Sequence, residues 1–137
     1  MDIVLDASLA LAWVLPDEAN EAADRLLDTL TDETVLVVPS IWFSEVANAL
    51  VKNLRIGRLD DAQFHTAREE MQDLPLRAEE LPGADILGPV ADLARAHSLS
   101  VYDASYLHVA LSQSVPLATL DLRLLTAAKA AGCELFE

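Results

Sequence analysis

Residues 2–6, Asp-Ile-Val-Leu-Asp, form a short apolar run enclosed by two carboxylates. A run of this length and composition predicts a buried strand, and residues 34–38, Thr-Val-Leu-Val-Val, predict a second one that ends at Pro39. Because neither run alternates with polar residues, we expect both faces of the sheet to be covered. That property is typical of parallel sheets that have helices on each side.

Strands and helices alternate along the rest of the chain. The patterns predict further strands at about 76–79, 117–119 and 133–136, and helices at about 8–15, 18–30, 40–54, 60–71, 86–97, 103–112 and 122–131. No linker, repeat or low-complexity segment interrupts this order. We therefore expect a single α/β domain over residues 1–137.

Composition narrows the class of protein. The 137 residues carry 9 Lys plus Arg against 23 Asp plus Glu, a net charge of -14, which argues against a non-specific nucleic-acid coat protein. A single cysteine, Cys133, excludes an intrachain disulfide and fits a reducing compartment. No signal peptide and no apolar run of ~20 residues is recognisable. We expect a soluble, cytoplasmic protein without a membrane partner.

Four carboxylates lie in apolar surroundings, whereas fifteen others fall in two acidic segments that read as solvated surface. The four are Asp6, Glu45, Asp103 and Asp121. In an open parallel sheet the carboxyl ends of the strands border one ligand crevice. We expect Asp6, Asp103 and Asp121 to face that crevice and Glu45 to point into it from a helix.

Each aspartate also has a simpler explanation, because Asp is a favoured N-cap and all three precede helical runs. Taken together, four carboxylates in one crevice would repel each other unless a cation joined them. Hard oxygen ligands suit Mg²⁺ or Mn²⁺. A metal at this place could orient a water for attack on a phosphodiester, and a free carboxylate could take the proton of that water.

Two further groups of residues extend this hypothesis. The hydroxyls of Ser8 and Thr119 are expected either to hydrogen-bond to the metal ligands or to cap the helices that follow them. On a helical wheel, Asn48, Lys52 and Arg55 continue the stripe that begins at Glu45 and are candidate substrate-binding residues. The alternative for this stripe is a plain solvent-facing surface, and the core face of the same helix is predicted at Trp42, Val46, Leu50 and Leu54.

Four blocks of the chain together resemble the PIN-domain ribonucleases, and among them the VapC-type toxins of prokaryotic toxin–antitoxin pairs. The blocks are Ile3-Val4-Leu5-Asp6-Ala7-Ser8 with Ala12-Trp13, Pro39-Ser40-Ile41-Trp42 with Glu45-Val46-Ala47-Asn48-Ala49-Leu50, Val101-Tyr102-Asp103-Ala104-Ser105-Tyr106, and Leu117-Ala118-Thr119-Leu120-Asp121. They stand in the order of the family, and each carries its acid. The heavy negative charge is the one departure from the pattern of the family, and it argues against an extensive RNA-binding surface.

The resemblance implies a three-layer α/β/α fold with a parallel sheet of four to five strands. It also implies Mg²⁺- or Mn²⁺-dependent endoribonuclease activity with a water nucleophile. Asp6, Glu45, Asp103 and Asp121 would form the acidic quartet that holds the metal, with Asp6 and Asp103 the foremost ligands. Homodimers and a cognate antitoxin partner are further implications of the resemblance.

Two other functions compete with the nuclease. A receiver-like signalling domain also binds Mg²⁺ with acids at strand ends, but it would need paired acids after the first strand and a late lysine. Here Asp6 is followed by Ala7, and the only late lysine, Lys129, falls deep in a predicted helix. A catalytically silent binding module with a PIN-like fold would be favoured by loss of an acid, and all four are present.

Overall fold

The computed structural model describes all 137 residues. Its four strands form one parallel sheet in the order β3-β2-β1-β4, with β1 at Asp2–Leu5, β2 at Val35–Pro39, β3 at Leu76–Glu79 and β4 at Leu117–Ala118. In the register, Ile3 lies opposite Leu36, and Val4 lies opposite Leu117. The predicted parallel sheet is confirmed at four strands.

Both faces of the central strands are buried, as the uninterrupted apolar runs predicted. Ile3, Val4 and Leu5 are fully buried although successive side chains of a strand point to opposite faces. The helices are α1 (Ala7–Ala12), α2 (Glu21–Thr29), α3 (Ile41–Arg55), α4 (Asp61–Gln72), α5 (Gly83–Asp85), α6 (Ala91–His97), α7 (Val101–Gln113) and α8 (Leu122–Ala130). None of them has the length and apolar character that a bilayer crossing requires.

The helices pack in two groups around the sheet. In one group α3 packs against α1 and α4, and in the other α7 packs against α6 and α8 while contacting β1, β2 and β4. This arrangement is the three-layer α/β fold that was predicted. The largest fully buried side chains of the two groups include Trp42 and Leu50 on α3, and Tyr106 and Leu107 on α7.

Three local predictions differ from the structure. The strand predicted at 133–136 is reduced to a single bridge, in which Leu135 pairs with Leu117. The helix predicted from Ile86 begins instead as a π-helical turn, Ile86–Val90. Pro89 lies inside that turn and has no backbone N–H to donate, which is a known cause of irregular helix geometry.

The third difference concerns α3, whose core face includes Asn53 as a buried residue while Leu54 is only half-buried. The predicted core positions Trp42, Val46 and Leu50 are buried. Asn53 follows Trp42 by about three helical turns and so lies on the same face, which brings a polar side chain into the packing.

Candidate active site

Asp6 lies at the carboxyl end of β1 and is only 4% exposed. Its Oδ2 accepts two hydrogen bonds of 2.6 Å, one from the Ser8 hydroxyl and one from the Thr119 hydroxyl. Its Oδ1 receives no side-chain hydrogen bond. The carboxylate is thus held by one oxygen, and the other remains available to a ligand.

The two hydroxyls are oriented toward Asp6 by the backbone of the β4–α8 connection. Ser8 Oγ accepts a hydrogen bond from the Leu120 N–H at 3.1 Å, and Thr119 Oγ1 accepts one from the Asp121 N–H at 3.0 Å. Each oxygen therefore receives a backbone proton and donates its own proton to the carboxylate. Because β4 is the direct neighbour of β1, this arrangement ties the ends of two adjacent strands together.

Glu45 reaches the same edge of the sheet from the second turn of α3, and it is half-buried. Its Oε1 accepts a 2.6 Å hydrogen bond from the hydroxyl of Tyr106, a fully buried residue of α7. Burial, and then the hydrogen bond to Glu45, raise the pKa of Tyr106 far above its usual range. The tyrosine is therefore a permanent donor, and Glu45 Oε2 is left without a side-chain partner.

Asp103 and Asp121 lie at the N-terminal ends of α7 and α8. Asp121 is the N-cap of α8, since its Oδ1 accepts a hydrogen bond from the Leu124 N–H at 3.0 Å. Asp103 is not a cap, because Ser100 holds that position and accepts from the Asp103 N–H at 3.1 Å. The capping explanation is thus observed for Asp121 alone, as Asp6 makes no side-chain cap of α1.

The helix that was predicted to begin at Asp103 is observed, but it begins two residues earlier, at Val101. Asp103 therefore belongs to the first turn of α7, and its N–H is capped by Ser100. Ser8 and Thr119 also differ from their alternative role, because they hydrogen-bond to Asp6 and accept N–H groups of the 119–121 segment instead of capping helices.

The electrostatics show that the four carboxylates share one site. Burial raises the pKa of Asp6, and the negative charge of Asp121 adds to this rise, while the Ser8 and Thr119 hydroxyls oppose it. Burial likewise raises the pKa of Asp103, with further rises from the charges of Asp6 and Asp121. These carboxylates hold their charge at a cost that a bound cation would relieve.

Glu45 belongs to the same field of negative charge. Burial raises its pKa, the hydrogen bond from Tyr106 lowers it, and the charges of Asp6 and Asp103 raise it further. Among the basic residues, Arg123 is the cation that lowers the pKa of Asp103. Sequence reasoning missed Arg123 and Tyr106. The i, i+3 spacing of Asp103 and Tyr106 on one helix face was the available signal for the tyrosine.

A divalent cation fits this donor set chemically. No three histidine, cysteine, aspartate or glutamate side chains form a group that could hold a metal ion by themselves. Mg²⁺ does not require such a group, since it binds through one or two carboxylates and completes its shell with waters and substrate phosphates. Asp6 Oδ1, which accepts no side-chain hydrogen bond, is one oxygen that could contribute to such a shell.

The predicted substrate-binding stripe is exposed and does not contact the acids. Asn48, Lys52 and Arg55 all lie on the solvent side of α3, and their side chains form no hydrogen bond or ion pair within the chain. Of the three, Lys52 alone lines the cavity that opens beside Ser8. The structure thus brings together the four acids with Ser8 and Thr119, and places the stripe beside them.

Comparison with known proteins identifies relatives of the whole chain. The family model described as "PIN domain" matches residues 3–130. The chain is 32% identical over 124 residues to Ribonuclease VapC3 of Pyrobaculum aerophilum, a match that covers 90% of this chain and 92% of that protein.

Two solved structures show the same fold. The sarcin-ricin loop cleaving toxin VapC20 of Mycobacterium tuberculosis superposes with a TM-score of 0.71 at 19% identity, over 98% of each chain. A toxin–antitoxin complex from Klebsiella pneumoniae matches with a TM-score of 0.61 at 16% identity, over 88% of this chain and 87% of that one.

Proposed function

The chain belongs to the PIN domain family, and from that membership and the geometry of its acidic site we propose that it is a divalent-metal-dependent endoribonuclease. We further propose that it is the toxin of a toxin–antitoxin pair. The family predicted from the four sequence blocks is confirmed. The substrate class, the metal requirement and the partner are the proposal.

The observation that carries the proposal is the burial and the one-sided hydrogen bonding of Asp6. A carboxylate that is 4% exposed receives two short hydroxyl hydrogen bonds on one oxygen, while three further carboxylates lie in the same site. A purely structural aspartate would be expected to satisfy both oxygens or to carry a basic partner. Here the partners fix the orientation of Asp6 and leave a ligand position open.

In this proposal Asp6 and Asp103 hold the metal, with Glu45 and Asp121 completing the negative site. Once bound, Mg²⁺ or Mn²⁺ would neutralise charge on the phosphodiester and orient a water for in-line attack. Glu45 Oε2 has no side-chain partner and a raised pKa, so it is suited to accept a proton from that water. Ser8 and Thr119 keep the Asp6 carboxylate ionised and fixed.

The proposed RNA substrate and antitoxin partner are supported by the proteins that this chain resembles. Ribonuclease VapC3, which is similar over nearly the whole chain, supports RNA as the substrate. The Klebsiella pneumoniae neighbour is a toxin–antitoxin complex, which supports a cognate antitoxin. We propose that residues 1–137 act as one domain and that the active form is a homodimer.

Cleavage of total RNA by the purified chain tests the function. We expect discrete fragments with Mg²⁺ or Mn²⁺, none with a chelator, and none from Asp6→Asn or Asp103→Asn. Because loss of a metal ligand removes the metal and its bound water together, activity should fall by more than the ~10²- to 10⁴-fold that a single acid–base group contributes. Asp92→Asn, an exposed acid of α6, is the matched control and should cleave like the natural chain.

The results discriminate between the candidate functions. Undiminished cleavage by both site variants would refute the proposed site, provided that circular dichroism shows them folded. Absence of cleavage by the natural chain, together with no Mg²⁺ binding in calorimetry, would favour the silent binding module. A receiver-like domain would instead incorporate phosphate from a small phosphodonor at Asp6.

A further inference from the structure

Arg123 lies in the first turn of α8, two residues after Asp121. Its positive charge lowers the pKa of Asp103, so the guanidinium lies within the field of the acidic site. It nevertheless forms no ion pair with Asp103 or with any other acid, and its side chain is exposed. The acidic site thus has a cation at its border whose N–H donors are available to a ligand.

The position of Arg123 within α8 is not explained by helix stability. The N-terminal end of a helix carries partial positive charge, so a cation in the first turn is disfavoured there. Lys129, in the last turn of the same helix, is the basic residue that suits the helix dipole. An arginine in the first turn is stabilised instead when an anion lies against it, and no carboxylate of the chain is close enough to form that pair. A phosphate group bound here would supply the anion.

A cavity opens beside Arg123, between the end of α6 and α8. It measures about 490 Å³, within the ~300–1,000 Å³ of typical ligand sites. Its polar wall includes His97 and the exposed residue Ser98, and none of its seven lining residues is acidic. Leu122, which is 78% exposed, forms an apolar rim next to Asp121. The cavity therefore offers donors to an anion and contains no carboxylate that would repel it.

The two chain segments that form this wall are free of acids, although the chain has 23 of them. Residues 93–102 and residues 122–133 contain no Asp or Glu, but they contain three of the nine Lys and Arg residues. Both segments belong to the helix group of α7, whereas Lys52 and Arg55 lie on α3 in the other group. A polyanion that crosses the acidic site would therefore meet positive charge on both sides of it.

We propose that this cavity is a phosphate subsite, in which Arg123 binds a backbone phosphate of the RNA next to the phosphodiester that is cleaved. The guanidinium is planar, and its paired N–H donors match two phosphate oxygens. The Ser98 hydroxyl would donate to the same phosphate. The proposal rests on the proposed ribonuclease function and adds the residue that positions the strand on the α8 side. A backbone phosphate is common to all nucleotides, so this contact fixes the position of the strand without selecting its sequence.

Fluorescence anisotropy with short single-stranded RNA and a chelator tests the subsite without metal and without cleavage. We expect Arg123→Gln to weaken binding by at least ~10-fold, the lower end of the range for a hydrogen bond to a charged group. Oligo(A) and oligo(U) should be weakened equally. The slope of log affinity against log salt concentration should become shallower by about 0.7, the contribution of one phosphate of a single strand. Arg123→Lys should retain this slope while losing part of the affinity, because it keeps the charge and loses the paired donors.

Arg25→Gln is the matched control, since Arg25 is an exposed residue of α2 that lies outside the cavity and forms no ion pair. It changes the net charge by the same amount and should bind RNA like the natural chain. In the ¹⁵N-labelled chain, RNA should shift the resonances of the Arg123 Nε–H group and of the Ser98 amide.

Cleavage kinetics give a second readout that a merely structural role of Arg123 would not produce. A contact that is made equally with the bound substrate and with the transition state affects binding alone. Arg123→Gln should therefore raise KM by about the same factor as it weakens RNA binding, while kcat changes little. Since Arg123 is exposed, its variants are expected to fold.

Three outcomes would overturn the proposal. Arg123→Gln could bind RNA with the affinity and the salt slope of the natural chain. Inorganic phosphate could bind as tightly as RNA, which would make the cavity a site for free phosphate. An oligoglutamate could bind as tightly as RNA, which would assign the cavity to an acidic protein segment. RNA binding through Arg123 by a chain that never cleaves RNA would uphold the subsite and refute the nuclease, and cleavage that does not depend on Arg123 would do the reverse.

Discussion

Replacing Thr119 with valine removes one of the two hydroxyls that hold Asp6 while nearly preserving the shape of the side chain. Thr119 is buried, and its hydroxyl lies 2.6 Å from Asp6 Oδ2. A hydrogen bond to a charged group contributes about 1.5–3 kcal/mol. We expect the variant to lose stability of that size while Asp6 is ionised, and the pKa of Asp6 to rise further.

The pH dependence distinguishes this effect from simple damage to packing. The valine also leaves the Asp121 N–H without its acceptor, and that loss does not depend on the charge of Asp6. The part of the stability loss that is due to Asp6 appears only above the pKa of Asp6 in the folded chain. It disappears as acid protonates the Asp6 carboxylate. The difference in stability between natural chain and variant should therefore grow as the pH rises.

Urea unfolding followed by circular dichroism, from about pH 4 to about pH 8, measures this difference. Thr119→Ser retains the hydroxyl and should behave like the natural chain. Mg²⁺ affinity of Thr119→Val should fall by about 10- to 100-fold, the usual effect of losing a partner of a metal ligand. A loss of stability that is equal at every pH would refute the claim that the hydroxyl supports an ionised Asp6.

Tyr106→Phe removes the donor to Glu45 Oε1 without opening a cavity, so the pKa of Glu45 should rise and the acidic limb of the pH–rate profile should move to higher pH. An unmoved limb in a folded variant would contradict the role of Tyr106 in positioning Glu45. In the metal-free chain, the raised pKa values of Asp6, Glu45 and Asp103 mean that the folded state binds more protons than the unfolded state just above pH 4. The free energy of unfolding should therefore fall as the pH rises through these folded pKa values. Urea unfolding with a chelator should show a flatter dependence of this free energy on pH in Asp103→Asn. An equally steep dependence in that variant would count against mutual repulsion of the carboxylates.

The central strands β1 and β2 could be predicted because they are buried on both faces, which leaves runs without polar residues. The strand predicted at 133–136 is an exception, because a strand also needs a neighbouring strand long enough to pair with. β4 has only two residues, so it offers little backbone on its free side to pair with. The segment consequently makes one bridge at Leu135, although three of its four residues are apolar.

The four acids and the hydroxyls of Ser8 and Thr119 could be predicted to lie together, but the partner of Glu45 could not. A carboxylate next to an apolar strand is visible in the sequence, as Asp6 shows. The contact of Glu45 with Tyr106 joins residues 61 positions apart, and the only local signal is that Tyr106 follows Asp103 by three residues on one helix face. Asn53 was missed because the predicted core face advanced by four residues at each step from Trp42 to Leu54, whereas three helical turns span about eleven residues.

The charge distribution reconciles an acidic protein with a polyanionic substrate. At physiological ionic strength the Debye length is about 8 Å, so exposed acids farther away are largely screened from a bound strand. Fifteen of the acids lie in the segments 17–33 and 60–85, whereas residues 46–59 carry three cations and no acid. A strand that follows the end of α3 would therefore meet positive charge beside the proposed metal-binding acids, and the net charge of -14 would act mainly against contact elsewhere. Such a surface favours a short, locally defined RNA site over extended binding along the backbone.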